Sequence, residues 1–230
     1  MVEHGALPQG NQMHALFDLD DTVHNKTQSL KLCAKSIHSK FLNNDVSANG
    51  FIDAFVTENS IIQPKAQVFE ILAAKFNIDL DTKSKMFKYF DESFHHYAKR
   101  FDGVIECMDY LKSEGVKIAC VTNGRDFFQR NKITALGLEK YFDVIVTSGE
   151  LAIKKPDPVI FNTALVRLGA FAKESVFIGD SLKSDMEPAK KLGMKTIWVN
   201  SQTNSKPECV DYQLSTFADF IGIWQVITKV

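Results

Sequence analysis

Three carboxylates, Asp18, Asp20 and Asp21, follow directly on the apolar run 13–17. Side chains alternate faces along an extended chain. Asp18 and Asp20 are therefore expected on one side, roughly 6–7 Å apart, with Asp21 turned away. Anions this close repel unless something compensates, and a divalent cation is the usual remedy. Aspartate also favours turns and helix caps, so the run gains meaning only from what accompanies it elsewhere.

Three other places supply that company. Thr122-Asn123-Gly124 follows an apolar run ending at Val121. A hydroxyl and backbone N–H groups at a strand-to-helix junction make an anion cradle. Lys155 stands in Lys154-Lys155-Pro156-Asp157-Pro158. A residue before proline is biased to extended backbone, so Lys155 is held apart from the helix expected at 156 and can reach back to a charged pocket. Asp180 and Asp185 follow the apolar run 176–178. Asp180 can ligate a metal, and Asp185, a helical turn further on, can orient Lys155 or metal-bound water. Each feature alone would pass for a cap, a turn or a solvated side chain. Acid pair, hydroxyl, lysine and acid pair in succession, each after a strand-like run, would not.

The elements that must position these groups are legible as alternating patterns. Strands are expected at 116–121, 141–146, 175–179, 195–200 and 211–214. Helices are expected at 126–136, 156–168 and 183–192, and from 217 onward. Alternation of this kind predicts an α/β fold, a Rossmann-like open parallel sheet covered on both faces. Ligands in such sheets bind at the C-terminal ends of strands, where all four features lie. Residues 26–98 differ. Leu30, Cys33, Ile37 and Phe41 recur at helical spacing, and further Phe-rich helical patterns follow. The predicted organisation is a polar, flexible leader at 1–12, a core at 13–25 and 99–230, and an all-helical insertion at 26–98.

Composition removes several classes. The 230 residues carry 27 basic and 28 acidic side chains, a net charge of −1, scattered without a basic stripe. That argues against nucleic acid as a partner. No apolar run approaches the length of a membrane span. Cys33, Cys107, Cys120 and Cys209 lie far apart with no paired spacing, which fits free thiols in a reducing compartment, hence a cytoplasmic protein. Oligomeric state is not encoded in these patterns.

The signatures FDLDDT, VTNG, KKPDP and GDSLKSD resemble those of the haloacid dehalogenase-like hydrolase superfamily. The likeness covers residues 13–25 and roughly 101–200, and the helical insertion resembles that family's cap domain. The resemblance implies a Mg²⁺-dependent phosphomonoesterase acting on a small phosphorylated metabolite, such as a nucleotide or sugar phosphate. By the same resemblance Asp18 attacks phosphorus. Asp20 protonates the leaving oxygen and later activates water, a role that favours a raised pKa. Mg²⁺ would be held by Asp18, the backbone carbonyl of Asp20, and Asp180. Thr122, Asn123, Gly124 and Lys155 would hold the phosphoryl oxygens, with Asp185 behind them, while the cap would set selectivity. The same core fits a phosphomutase. It fits a dehalogenase less well, since family dehalogenases lack the acid found here at Asp20. A non-catalytic binding protein would have no need of the intact set.

Overall fold

A computed structural model describes residues 13–42, 46–61, 63–199 and 205–229. The expected leader at 1–12 lies outside them, as does Asn200 at the end of an expected strand. The described strands are β1 (His14–Phe17), β2 (Ile118–Thr122), β3 (Val144–Thr147), β4 (Ser175–Gly179), β5 (Lys195–Val199) and β6 (Tyr212–Leu214). They form one six-stranded sheet in the order β3-β2-β1-β4-β5-β6, and every pairing is parallel. β1, β2 and β4 are buried at every position. This is why they read as unbroken apolar runs: a parallel strand covered on both faces has no polar side to show.

The sheet fixes where a site can form. Connections run outward from β1 in both directions, so the strand order reverses beside it, and a crevice opens at the C-terminal ends of the strands flanking such a switch. Phe17 pairs with Cys120 on one side and with Ile178 on the other. The residues that follow β1, β2 and β4 are thereby brought level. Leu16, Val121, Phe161, Phe177 and Trp198 belong to the apolar cluster that holds the strands against their covering helices.

The helices are α1 (Lys26–Phe41), α2 (Ala48–Ser60), α3 (Lys65–Phe76), α4 (Leu80–Ser93), α5 (Val104–Ser113), α6 (Asp126–Ala135), α7 (Ser148–Leu151), α8 (Pro158–Leu168), α9 (Glu187–Lys191) and α10 (Phe220–Thr228). Several limits differ from expectation for identifiable reasons. The third strand begins at Val144 rather than 141, because residues 139–141 make a 3₁₀ turn. There the Tyr141 hydroxyl donates to Asp109 Oδ1 at 2.6 Å. Helix α8 starts at Pro158, not Pro156: Asp157 is its N-cap, accepting from Val159 N at 2.9 Å. The expected helix at 183–192 opens with a π-helical turn, Leu182–Met186, before α9.

Among the described residues the chain divides into two compact units, one of residues up to 23, 101–129 and from 138 onward, the other of 24–100 and 130–137. Within the second, Phe55, Phe69, Phe90 and Phe94 meet ring to ring at centroid distances of 5.0–5.9 Å. Each buried Phe contributes roughly 1.5–3 kcal/mol of apolar burial, which makes this Phe-rich segment a core of its own. Its entry and exit segments are tied together: Asn25 N donates to Lys99 O at 2.8 Å, and Lys99 N to Ser29 Oγ at 2.9 Å. Arg100, at the end of this segment, donates through Nη1 to the Leu136 carbonyl.

Candidate active site

Asp18 is the first residue beyond β1. Its backbone N–H still donates to Ile178 O at 2.9 Å, continuing the ladder with β4. Its side chain is buried, and both oxygens have partners. Lys155 Nζ donates to Oδ1 at 2.6 Å, and Thr22 Oγ1 to Oδ2 at 3.3 Å. Lys155 is buried as well and bridges to a second carboxylate, Asp185 Oδ1, at 2.7 Å. Asp185 is tied in turn by Ser181 N, which donates to Oδ2 at 3.1 Å. Both Asp185 oxygens are thus used in holding the lysine and the loop after β4.

That loop is shaped for Asp185. A Cβ on Gly179 would stand 2.5 Å from Asp185 Oδ2, so only glycine lets the carboxylate lie against the end of β4. Asp180 follows, half-buried, with its carbonyl accepting from Trp198 Nε1 at 2.7 Å. Asp18, Asp180 and Asp185 each offer a carboxylate oxygen within 4.8 Å of the others.

Thr122 closes β2 and is buried. Asn123 spends its side chain on the loop carrying Lys155. Its Oδ1 accepts from Lys155 N at 2.8 Å, and its Nδ2 donates to Lys155 O at 3.1 Å. Pinned at both backbone groups, Lys155 stays apart from α8 as expected. Gly124 N donates to Ser148 Oγ at 2.8 Å, so this N–H is taken up inside the fold rather than left free as the sequence reading assumed. The expected alternation through 18–21 also stops early: Asp21 has φ of 59° and the chain turns at 21–23.

Two site residues were not singled out in the sequence. Thr22 is one. Gln129 is the other: buried on α6, it donates through Nε2 to Thr122 Oγ1 at 2.6 Å and to Asp20 Oδ2 at 3.3 Å. A signal existed. Gln129, Lys132, Ile133 and Leu136 are all buried at helical spacing, which marks Gln129 as an inward-facing polar residue.

Residues 15–199 match the family of haloacid dehalogenase-like hydrolases. The chain belongs to that family. A glyceraldehyde 3-phosphate phosphatase of Methanocaldococcus jannaschii is 27% identical over 93% of this chain and 97% of its own length. A phosphoserine phosphatase of Thermus thermophilus is 32% identical over 47% of the chain and 45% of its own. The crystal structure of a HAD phosphatase from Thermococcus onnurineus matches with a TM-score of 0.66 and 26% identity, covering 93% of this chain and 98% of that one. The open parallel sheet is that of a haloacid dehalogenase-like hydrolase.

In this hydrolase the electrostatics are dominated by crowded carboxylates. Burial pushes the Asp18 carboxyl up to about 6; Lys155 opposes the rise, and Asp185 and Asp20 add to it. Burial likewise lifts Asp180, to about 8, with the charges of Asp18, Asp185 and Asp21 pushing the same way. Burial alone would lower the Lys155 ammonium, but the carboxylates of Asp18 and Asp185 outweigh it and hold it above the ordinary lysine value. One ammonium among so many carboxylates leaves an excess of negative charge that a hard divalent cation would relieve.

This has a consequence for stability. Asp18 and Asp180 bind protons more tightly folded than unfolded. Their contribution is fully present below the ordinary carboxylate value of 3.8 and is lost as pH rises through about 6 and about 8. Metal-free protein should therefore melt at a higher temperature near about pH 5.5 than near about pH 8.5. Asp180→Asn should flatten that slope, and saturating Mg²⁺ should raise the melting temperature chiefly at the alkaline end. Calorimetry with and without the cation checks both. A metal-free stability that climbs over this range would contradict the assignment.

No helix among the described residues is long and apolar enough to cross a membrane.

Proposed function

We propose that this protein is a Mg²⁺-dependent phosphomonoesterase of small phosphorylated metabolites, working through an aspartyl phosphate on Asp18. The observation that carries the reading is the buried Asp18–Lys155–Asp185 bridge at the switch point of the sheet, with distances of 2.6 and 2.7 Å. A carboxylate anchored there is held ready to attack phosphorus, and a cation sharing the site would favour its ionised, nucleophilic form against the effect of burial.

The chemistry balances over two steps. Asp18 attacks phosphorus; the bond to the ester oxygen breaks, and Asp20 gives its proton to that leaving oxygen. Water then attacks the phospho-aspartate, passing a proton back to Asp20, and inorganic phosphate leaves Asp18. Thr122 and the backbone near Asn123 would hold the transferring oxygens, with Lys155 balancing their charge. Gly124 lends conformation there rather than a free donor. Mg²⁺ fits the donor set, since every candidate ligand is a hard oxygen and the carboxylates exceed the ammonium in number. Asp18, Asp180 and the Asp20 carbonyl would hold it, Asp185 would steady Lys155 from behind, and the bound cation would disperse charge on the phosphoryl group.

We read residues 26–98 as the family's cap domain, inserted in a core of 13–25 and 99–230. The compact unit of 24–100, which also takes in 130–137, supports this reading. The relatives named for glyceraldehyde 3-phosphate and phosphoserine support a small metabolite as substrate. A panel of sugar, nucleotide, triose and amino-acid phosphates, read by released phosphate, tests the proposal. Steady release from at least one metabolite with Mg²⁺ is expected. No release from any would sink it, and transfer to a sugar hydroxyl in place of water would favour a phosphomutase.

A further inference from the structure

We propose that Gln129 is the positioning residue for the acid/base carboxyl of Asp20, a role that rests on the phosphatase reading above. Gln129 sits near the start of α6 and is 2% exposed. Its side-chain nitrogen faces three oxygens: Thr122 Oγ1 at 2.6 Å, Asn123 O at 3.1 Å and Asp20 Oδ2 at 3.3 Å. A backbone carbonyl and a carboxylate can only accept, so the nitrogen, not the oxygen, of the amide must face them. One NH₂ group, with two protons to give, thus ties the end of β2 to the loop after β1.

Two consequences follow for the reacting groups. The Thr122 hydroxyl accepts from Gln129, which leaves its own proton to be donated elsewhere, as a group holding a phosphoryl oxygen must do. Asp20 accepts an N–H at Oδ2, which orients the carboxyl that is to exchange a proton with the leaving oxygen. A proton donor must lie within hydrogen-bond reach and be correctly turned before its acidity matters. Gly124 belongs to the same device. Its φ is +147°, and a Cβ there would stand 2.7 Å from Gln129 Cδ, so any larger residue would push the amide off its three oxygens.

The role predicts a dependence on leaving group. When the phosphorus–oxygen bond breaks, an alkoxide needs the Asp20 proton, whereas a nitrophenolate can leave without it. Gln129→Met keeps the length of the side chain and removes its N–H groups. With Mg²⁺ present, kcat/KM should fall about 10- to 100-fold for an alkyl phosphate but only about threefold or less for nitrophenyl phosphate. A residue that merely packs would lower both by the same factor. Gln129→Glu keeps the shape and exchanges the donor for an acceptor; it is the second variant should Gln129→Met not fold, and the same divergence is expected. Equal losses on the two esters in a folded variant, or none on either, would overturn the role of Gln129 and leave the phosphatase reading intact. Wild-type protein inactive on both esters and on every metabolite of the panel would overturn that reading, and the role of Gln129 with it.

Discussion

Asp18→Asn should reduce phosphate release by on the order of a thousandfold or more, as removal of a covalent nucleophile does elsewhere. The substitution keeps the size of the side chain and leaves Lys155 its second partner, Asp185, at 2.7 Å. The variant is therefore expected to fold, with an unchanged circular dichroism spectrum. It separates attack by Asp18 from simple charge placement, because the amide can still fill the pocket and accept from Thr22 but cannot form an acyl phosphate. Turnover within about tenfold of wild type, in protein free of contaminating phosphatase, would end the covalent mechanism.

Removal of the cation should be nearly as severe. A chelator is expected to stop turnover, Mg²⁺ to restore it, and Ca²⁺ to bind without supporting it. Mg²⁺ demands a tight octahedron, whereas Ca²⁺ accepts more and longer oxygen contacts and so engages carboxylate oxygen that the reaction needs free. Asp18 would serve both as ligand and as nucleophile, so it is the group that Ca²⁺ would tie up. Equal rates with the two ions, or full activity in a chelator, would contradict a site built on Asp18 and Asp180.

Much of the site was legible because buried parallel strands announce themselves. The apolar runs ending at Phe17, Val121 and Ile178 locate three neighbouring strand ends, and the polar residues straight after them could hardly lie anywhere but at the switch point. Lys155 was legible through its neighbours: the following proline set it apart from a helix, and only the helix start moved, from Pro156 to Pro158. What escaped was local backbone geometry and polar pairing. Nothing in 182–186 marks a π-helical turn, which exists because the chain must bring Asp185 under Gly179 and across to Lys155. The positive φ at Asp21 ended an alternation that the carboxylate spacing appeared to promise. The Gly124 N–H looked free because its partner, Ser148, is 24 residues away in sequence. Gln129 was passed over because a glutamine on a helix usually faces water, and only its register with Ile133 and Leu136 reveals otherwise.

The central claim is that phosphorus becomes bonded to Asp18, and it can be tested without knowledge of the physiological substrate. Enzyme mixed with excess nitrophenyl phosphate and Mg²⁺, quenched in acid within the first turnover and reduced with borohydride, should yield homoserine at position 18 in the peptide containing FDLDDT. The modification should be lost in Asp18→Asn. Rapid release of phosphate with position 18 left as unmodified aspartate, or with the modification found at another carboxylate, would contradict the mechanism.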